Sequence, residues 1–270
     1  MDRLAVQYRL MRSVEQPILS KFFSGRSGLN VLDVGCNNGY KTTELFSDDA
    51  VARVIGLEYD AAAAAFANQH FGGGRFSFYE CDAESPDFPE HLSKRMRENG
   101  VEGFDIIYLS YVLSHLTDPA RLLRFLRTLL RPGGILLAAE SDDSRCALTP
   151  REPLLRDFLS MLAEDPFAGN RSTGERLPAL LEGAGYRTPQ IRCDAISAGT
   201  GEAERKKQIF EMFFSYLPED AAILRERWPE NPKYMQWEAW IDDKFPLLAQ
   251  TIMDEQSTVS MGMMVVTCGA

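Results

Sequence analysis

Chemistry in this chain starts at a turn. Residues 31–40 read Val-Leu-Asp-Val-Gly-Cys-Asn-Asn-Gly-Tyr: an apolar strand with an acid near its end, a glycine-framed turn, then a helix start. Gly35 and Gly39 let backbone approach a ligand closely, and the first turn of a helix offers N–H groups that no carbonyl takes up. Glu58 closes a second apolar run, nineteen residues after Gly39, and Asp82 closes a third. A carboxylate at the tip of a second strand suits two ribose hydroxyls. One at the third tip could accept from an adenine amino group. A solvated strand end, or a helix cap at Asp60, would explain an acid equally well at any one position. Acids on three successive tips, at Asp33, Glu58 and Asp82, point to a nucleoside held along one sheet edge.

The nucleoside is not a dinucleotide. With Gly35 first, G-x-G-x-x-G needs glycine at 37 and 40, where Asn37 and Tyr40 stand. No Gly-Lys-Ser/Thr follows for a phosphate loop, and the turn holds no Arg or Lys for a pyrophosphate. Ribose and adenine without phosphate remain. Taken in order, residues 31–39, Glu58, Cys81-Asp82-Ala83, Phe104-Asp105-Ile106-Ile107 and Leu130-Arg131-Pro132-Gly133-Gly134 resemble the class I S-adenosylmethionine-dependent methyltransferases. Asn37 departs from the family's usual glycine, but asparagine tolerates the left-handed backbone region. The resemblance implies S-adenosyl-L-methionine as cofactor and S-adenosyl-L-homocysteine as product. It further implies cofactor contacts from Asp33, Gly35, Cys36, Asn37, Asn38, Gly39, Glu58, Tyr59, Asp82, Ala83, Ser110 and Tyr111: the glycine turn around the methionine part, Glu58 on the ribose and Asp82 on the adenine.

The acceptor leaves fewer marks. Methyl transfer from a sulfonium is an in-line displacement that alignment alone accelerates, and a general base is needed only for an acceptor that must lose a proton. His115, in Val112-Leu113-Ser114-His115-Leu116, leaves the cofactor edge and is the candidate base, although a structural hydrogen bond would also suit it. Glu140, after the fifth strand, would suit a cationic acceptor or simply a solvated loop. Arg171 could clamp a carboxylate or phosphate, or pair with that acidic loop. Trp237 stands for the aromatic segment that could line a pocket. No His/Asp/Glu set has metal-ligand spacing, and no metal is expected.

These residues need a frame. Apolar runs at 29–34, 54–57, 76–79, 104–109 and 135–139 alternate with helical stretches at 41–46, 61–70, 89–99 and 119–130, the pattern of a doubly wound α/β parallel sheet. Residues 191–196 and 258–267 read as sixth and seventh strands. The resemblance makes the sheet a seven-stranded, Rossmann-like one, with strand 7 antiparallel and slotted between strands 5 and 6. The expected organisation is a helical cover over 1–27, a cofactor domain over 28–200, a helical cap over 201–256 inserted between strands 6 and 7, and a final strand within 257–270. All three tryptophans and six further aromatics fall within residues 210–245. Most should form the cap's own core, with some lining a pocket beyond the strands' carboxyl ends.

Composition sets outer bounds. The formal charge of -10 opposes phosphate neutralisation, so no nucleic-acid partner is expected. Five scattered cysteines without paired spacing read as reduced thiols, and no apolar run spans a membrane, so a cytoplasmic, soluble protein is expected. The reading is a methyltransferase acting on O, N or S of a small-molecule acceptor. Two alternatives stand: a protein or peptide acceptor docking on the aromatic insertion, and a non-catalytic cofactor-binding module. The oligomeric state is open, a homodimer included.

Overall fold

A computed structural model describes residues 3–270; residues 1 and 2 of the expected N-terminal cover lie outside the described residues. The elements run α1 (Arg3–Phe23), β1 (Leu29–Val34), α2 (Tyr40–Leu45), β2 (Val51–Glu58), α3 (Ala61–Phe71), β3 (Phe76–Glu80), α4 (Phe88–Glu98), β4 (Phe104–Ser110), α5 (Pro119–Arg127), β5 (Leu130–Ser141), β6 (Ala147–Thr149), α6 (Glu152–Leu162), α7 (Thr173–Gly183), β7 (Arg187–Ala198), α8 (Ala203–Phe213), α9 (Leu217–Arg227), α10 (Pro232–Met253) and β8 (Thr258–Gly269). One mixed sheet follows the order β3-β2-β1-β4-β5-β8, with β6 and β7 both paired to β8. β1 to β5 are parallel, and β8 is antiparallel to β5, as the sequence led us to expect.

The runs become strands because both faces of the sheet are covered. Every residue of β1 is buried, and Val31 lies between Val54 of β2 and Ile106 of β4. Helix starts follow the chain's capping residues: Asp60 accepts the Ala63 N–H at 2.7 Å, and Asp118 accepts that of Arg121 at 2.9 Å ahead of Pro119.

Two details differ from the sequence expectation. β5 begins at Leu130 rather than 135, since Leu130 already pairs with Phe104; Pro132, Gly133 and Gly134 form a bulge in which five residues of β5 answer two of β4. An eighth strand, β6, takes up β8 where β5 leaves it: β5 pairs with residues 263–268, and β6 with 258–260. Its three residues are too few to carry a periodic signal.

The α8–α10 insertion lies between β7 and β8 and shares a single apolar cluster with the rest of its face. Val6, Leu10 and Val14 of α1, Ile106 and Tyr108 of β4, Phe158 of α6, and Phe214, Trp237 and Leu248 of the insertion all belong to it. Polar anchors fix the two covering pieces. Lys206 of α8 is 1% exposed and donates to the Asp254 and Glu255 carbonyls and the Ser257 hydroxyl, tying α8 to the end of α10. Glu15 of α1 is fully buried, and its Oε1 accepts from Lys41 Nζ at 3.0 Å and from the Tyr108 hydroxyl at 2.6 Å. Among the described residues no helix is long and apolar enough to cross a membrane.

The Glu15–Lys41 pair is the hinge of the cover's stability. Removing one partner of a buried ion pair strands the other, so Glu15→Ala is expected to cost about 3–5 kcal/mol in urea unfolding. Glu15→Leu combined with Lys41→Met should regain most of that loss, because no unpaired charge is left.

Candidate functional site

The glycine turn is held from two sides. Leu57 O accepts the N–H groups of Gly35 and Cys36 at 2.8 and 3.0 Å, and Glu58 Oε2 accepts that of Asn37 at 2.9 Å. Gly35, Asn37 and Gly39 all have positive φ, at 78°, 47° and 77°. A Cβ on Gly35 would run into Val112, and one on Gly39 would meet Ala67 at 2.9 Å, so side chains at either position would displace the turn. Glu58 is 9% exposed and also accepts the Asp60 N–H at 3.0 Å. Its carboxylate thus stands fixed at the tip of β2, beside exposed Tyr59.

Other members of the expected cofactor set divide by orientation. Asp33 is buried beneath the turn, accepts the Thr42 hydroxyl at 2.6 Å, and is pushed up to about 7 by burial. It braces the turn from below. Cys36 is buried, its thiol pushed well above the ordinary value by burial, so the residue meets a ligand through its backbone. Asn38 caps the turn, its Oδ1 accepting the Tyr40 N–H at 3.1 Å. Asp82 is exposed at the tip of β3 and accepts the Glu84 N–H at 2.8 Å, next to half-buried Ala83. Ser110, ending β4, accepts from Lys41 Nζ at 2.8 Å. Tyr111 follows with φ 57°, and its hydroxyl is buried without a hydrogen-bond partner.

The turn and the strand tips therefore converge on one edge, with a rigid carboxylate at β2, an exposed one at β3, and an unanswered phenol beyond β4. These residues fit a nucleoside with an amino-acid tail.

Beyond that edge opens a cavity of about 530 Å3 whose lining includes Gln7 of α1, Asn37, Tyr111, His115, Ser141, Arg171, and Met212, Phe213 and Tyr216 from the insertion. His115 sits at its rim, its imidazole pulled below the ordinary value first by partial desolvation and then by the Arg171 guanidinium. Arg171 faces the cavity with its fork engaged, since Nε and Nη2 both donate to the Asp143 carboxylate. Ion pairing with the acidic loop was one of its two sequence readings, and the geometry shows that pairing.

Two candidates from the sequence do not reach the cavity. Glu140 is 1% exposed, and its Oε1 accepts the N–H groups of Val112, Leu113 and Ser114. It lies under the segment bearing His115, neither in a solvated loop nor beside the lining. Trp237 is 4% exposed, packed edge-on against Tyr234 within the apolar cluster the insertion shares with the sheet. The helical period of the aromatics cannot tell a core-facing ring from a lining one. Sequence reasoning missed Gln7, Ser141 and Phe167, which carry no pattern, and the Glu15–Lys41 pair, for which an acid and a base on the apolar faces of two helices were the available signal. Elsewhere on α1, Tyr8 is buried against Tyr40, and Arg12 Nε donates to Gln16 Oε1 at 2.6 Å.

Comparison with known proteins agrees with this geometry. Residues 26–211 match the sequence model of a family described as a methyltransferase domain. The chain is 28% identical over 116 residues to a ubiquinone biosynthesis O-methyltransferase of Pasteurella multocida, covering 42% of this chain and 46% of that one. It is 28% identical over 151 residues to a trans-aconitate 2-methyltransferase of Variovorax paradoxus, covering 56% and 51%. The chain thus spans about half the length of the curated relatives it matches. Its fold superposes on a candidate methyltransferase of Bacillus halodurans with a TM-score of 0.57 at 16% identity, covering 94% of this chain and 97% of the other. The match over most of the chain, and the strand order and glycine turn it spans, make this protein a member of the class I S-adenosylmethionine-dependent methyltransferases.

Proposed function

We propose that this protein transfers a methyl group from S-adenosylmethionine to an oxygen, nitrogen or sulfur atom of a small-molecule acceptor held in the 530 Å3 cavity. The observation that carries the reading is continuity: Asn37 of the glycine turn and Tyr111 beyond β4 both belong to the cavity lining, so donor edge and acceptor space adjoin. Relatives named for ubiquinone biosynthesis and for trans-aconitate methylate small molecules, and an oxygen acceptor is the first choice on that ground.

S-Adenosylmethionine supplies an electrophilic methyl on a sulfonium whose departure needs no acid. The chain's residues do the rest. The turn from Gly35 to Gly39 would hold the amino-acid part, Glu58 the ribose hydroxyls and Asp82 the adenine. Phe213, Met212 and Phe167 form an apolar wall that excludes water and confines the acceptor, which is worth most in a displacement governed by alignment. His115, neutral near pH 7 because its imidazole is pulled down, is competent to take a proton from a hydroxyl. The inward packing of Phe214, Tyr234 and Trp237 leaves the insertion fewer rings for docking a protein acceptor.

Thermal unfolding with S-adenosylhomocysteine tests the donor half. At about a hundred times its dissociation constant the ligand should add ~2.7 kcal/mol, a shift of several degrees, and Glu58→Ala should abolish most of it. An unshifted melting curve in well-folded wild-type protein would sink the reading. Release of S-adenosylhomocysteine against a panel of phenols and carboxylic acids tests the acceptor half. For a hydroxyl acceptor the rate should fall on acidification, with its lower limb below the ordinary histidine pKa of about 6.5, because the neutral imidazole is the working form. His115→Gln should flatten that limb; an unchanged limb removes His115 from the reaction.

A further inference from the structure

Glu140 is a fully buried carboxylate that neither the cofactor nor the acceptor reading uses. We infer that it is the positioning residue for the acceptor end of the site, fixing from the end of β5 the segment that carries Tyr111 and His115 to the cavity.

The argument begins with backbone bookkeeping. After Ser110 the chain must leave the sheet, and the next amides have no strand to pair with. Tyr111 N donates to Ala139 O at 2.9 Å, the last bond of the ladder. Val112, Leu113 and Ser114 then point their N–H groups at a single atom, Glu140 Oε1, at 3.0, 2.7 and 3.4 Å. No other acceptor takes these amides among the described residues, and Leu113 is 1% exposed. Orphaned in that setting, buried amides would each cost on the order of 1–3 kcal/mol. An ionised acid makes stronger bonds to them than a carbonyl could.

What the carboxylate holds is a strained and functional stretch. Tyr111 has φ 57°, a left-handed conformation that a bulky residue adopts only when its surroundings impose it. Val112 seats its side chain where a Cβ on Gly35 would lie, so the same segment closes against the glycine turn. On its other flank Ser114 O accepts the Asn170 N–H, and a Cβ on Gly169 would collide with the Ser114 carbonyl and meet the His115 ring, which joins the segment to the loop that carries Arg171. One acid at the end of β5 thus sets the distance between donor turn, His115 and Arg171. Burial pushes this carboxyl up to about 7, against the Ser114 side chain and the three amides that pull it down.

The inference rests on the cavity reading for what the segment does, yet its test needs no acceptor and can fail separately. The chain has three histidines, so ring signals in NMR spectra are few, and the one deleted by His115→Gln is His115. In folded Glu140→Ala protein, the Val112, Leu113 and Ser114 amides should exchange more than about tenfold faster, the three having lost their acceptor. The His115 ring should titrate nearer the ordinary value of about 6.5. Glu140→Gln, which keeps an oxygen over the amides, should restore the His115 titration. Glu140→Ala protein that folds and leaves His115 titrating as in the wild type overturns the inference. Should that variant fail to fold, Glu140→Gln decides: the three amides must exchange about tenfold faster, since a neutral amide is the weaker acceptor, and unchanged exchange overturns the inference.

Discussion

Where parallel strands end, the chain must turn away with N–H groups that no neighbouring strand accepts, and the functional edge of this protein depends on how those groups are answered. Three carboxylates do so. Glu58 takes the amides of Asn37 and Asp60, Asp82 that of Glu84, and Glu140 those of Val112, Leu113 and Ser114. Glu58 and Glu140 satisfy partly or fully buried backbone donors that would otherwise be penalised, while the Asp82 bond lies exposed, and each holds a turn at the sheet's edge. At β2 and β3 the carboxylates also lie at the surface a nucleoside would touch. At β5 the carboxylate is buried, and its effect on the site passes through the backbone it holds.

The cover obeys a different constraint. α1 and the insertion have no core of their own apart from the sheet; they complete the apolar cluster on one face, and the Phe158 ring packs at a tilt against Phe214, 4.7 Å between centroids, where α6 meets the end of α8. Burying that face requires the covering helices to arrive, and their arrival walls one side of the cavity beyond the sheet edge. The polar anchors then fix where they sit: Glu15 engages Tyr108 and Lys41 directly below Ser110, so the cover is registered on the strand that ends at the site. The cover's stability and the cavity's wall are here two consequences of one packing arrangement.

How far the sequence exposed all this follows from the distances along the chain. The sheet was legible because strands buried on both faces read as unbroken apolar runs, and the donor edge because Asp33, the glycine turn, Glu58 and Asp82 lie within fifty residues at the ends of successive strands. The acceptor end was less so. Its lining comes from Gln7, Tyr111, Ser141, Arg171 and Phe213, residues brought together only by the fold. Glu140 shows the limit most clearly. Its position after β5 suggested an acid facing a substrate; the strand in fact turns the side chain beneath the next loop, and only a three-dimensional account of unpaired amides assigns it a task.

The same separation explains how one frame can serve many acceptors. Donor recognition needs partners for a nucleoside's hydroxyls, amino group and zwitterionic tail, and the residues proposed for them lie within the sheet edge and its first turns. In the proposed site much of the acceptor wall comes from α1, the loop before α7 and α8, outside the strand ladder, while Ser141 of β5 and Tyr111 after β4 complete it. Substitutions at Phe167, Met212 or Phe213 can reshape the cavity wall while the turns held by Glu58 and Glu140 keep the transfer axis in place. A methyl transfer controlled by alignment requires that axis to stay rigid as the wall changes, and the carboxylate-held turns meet that requirement.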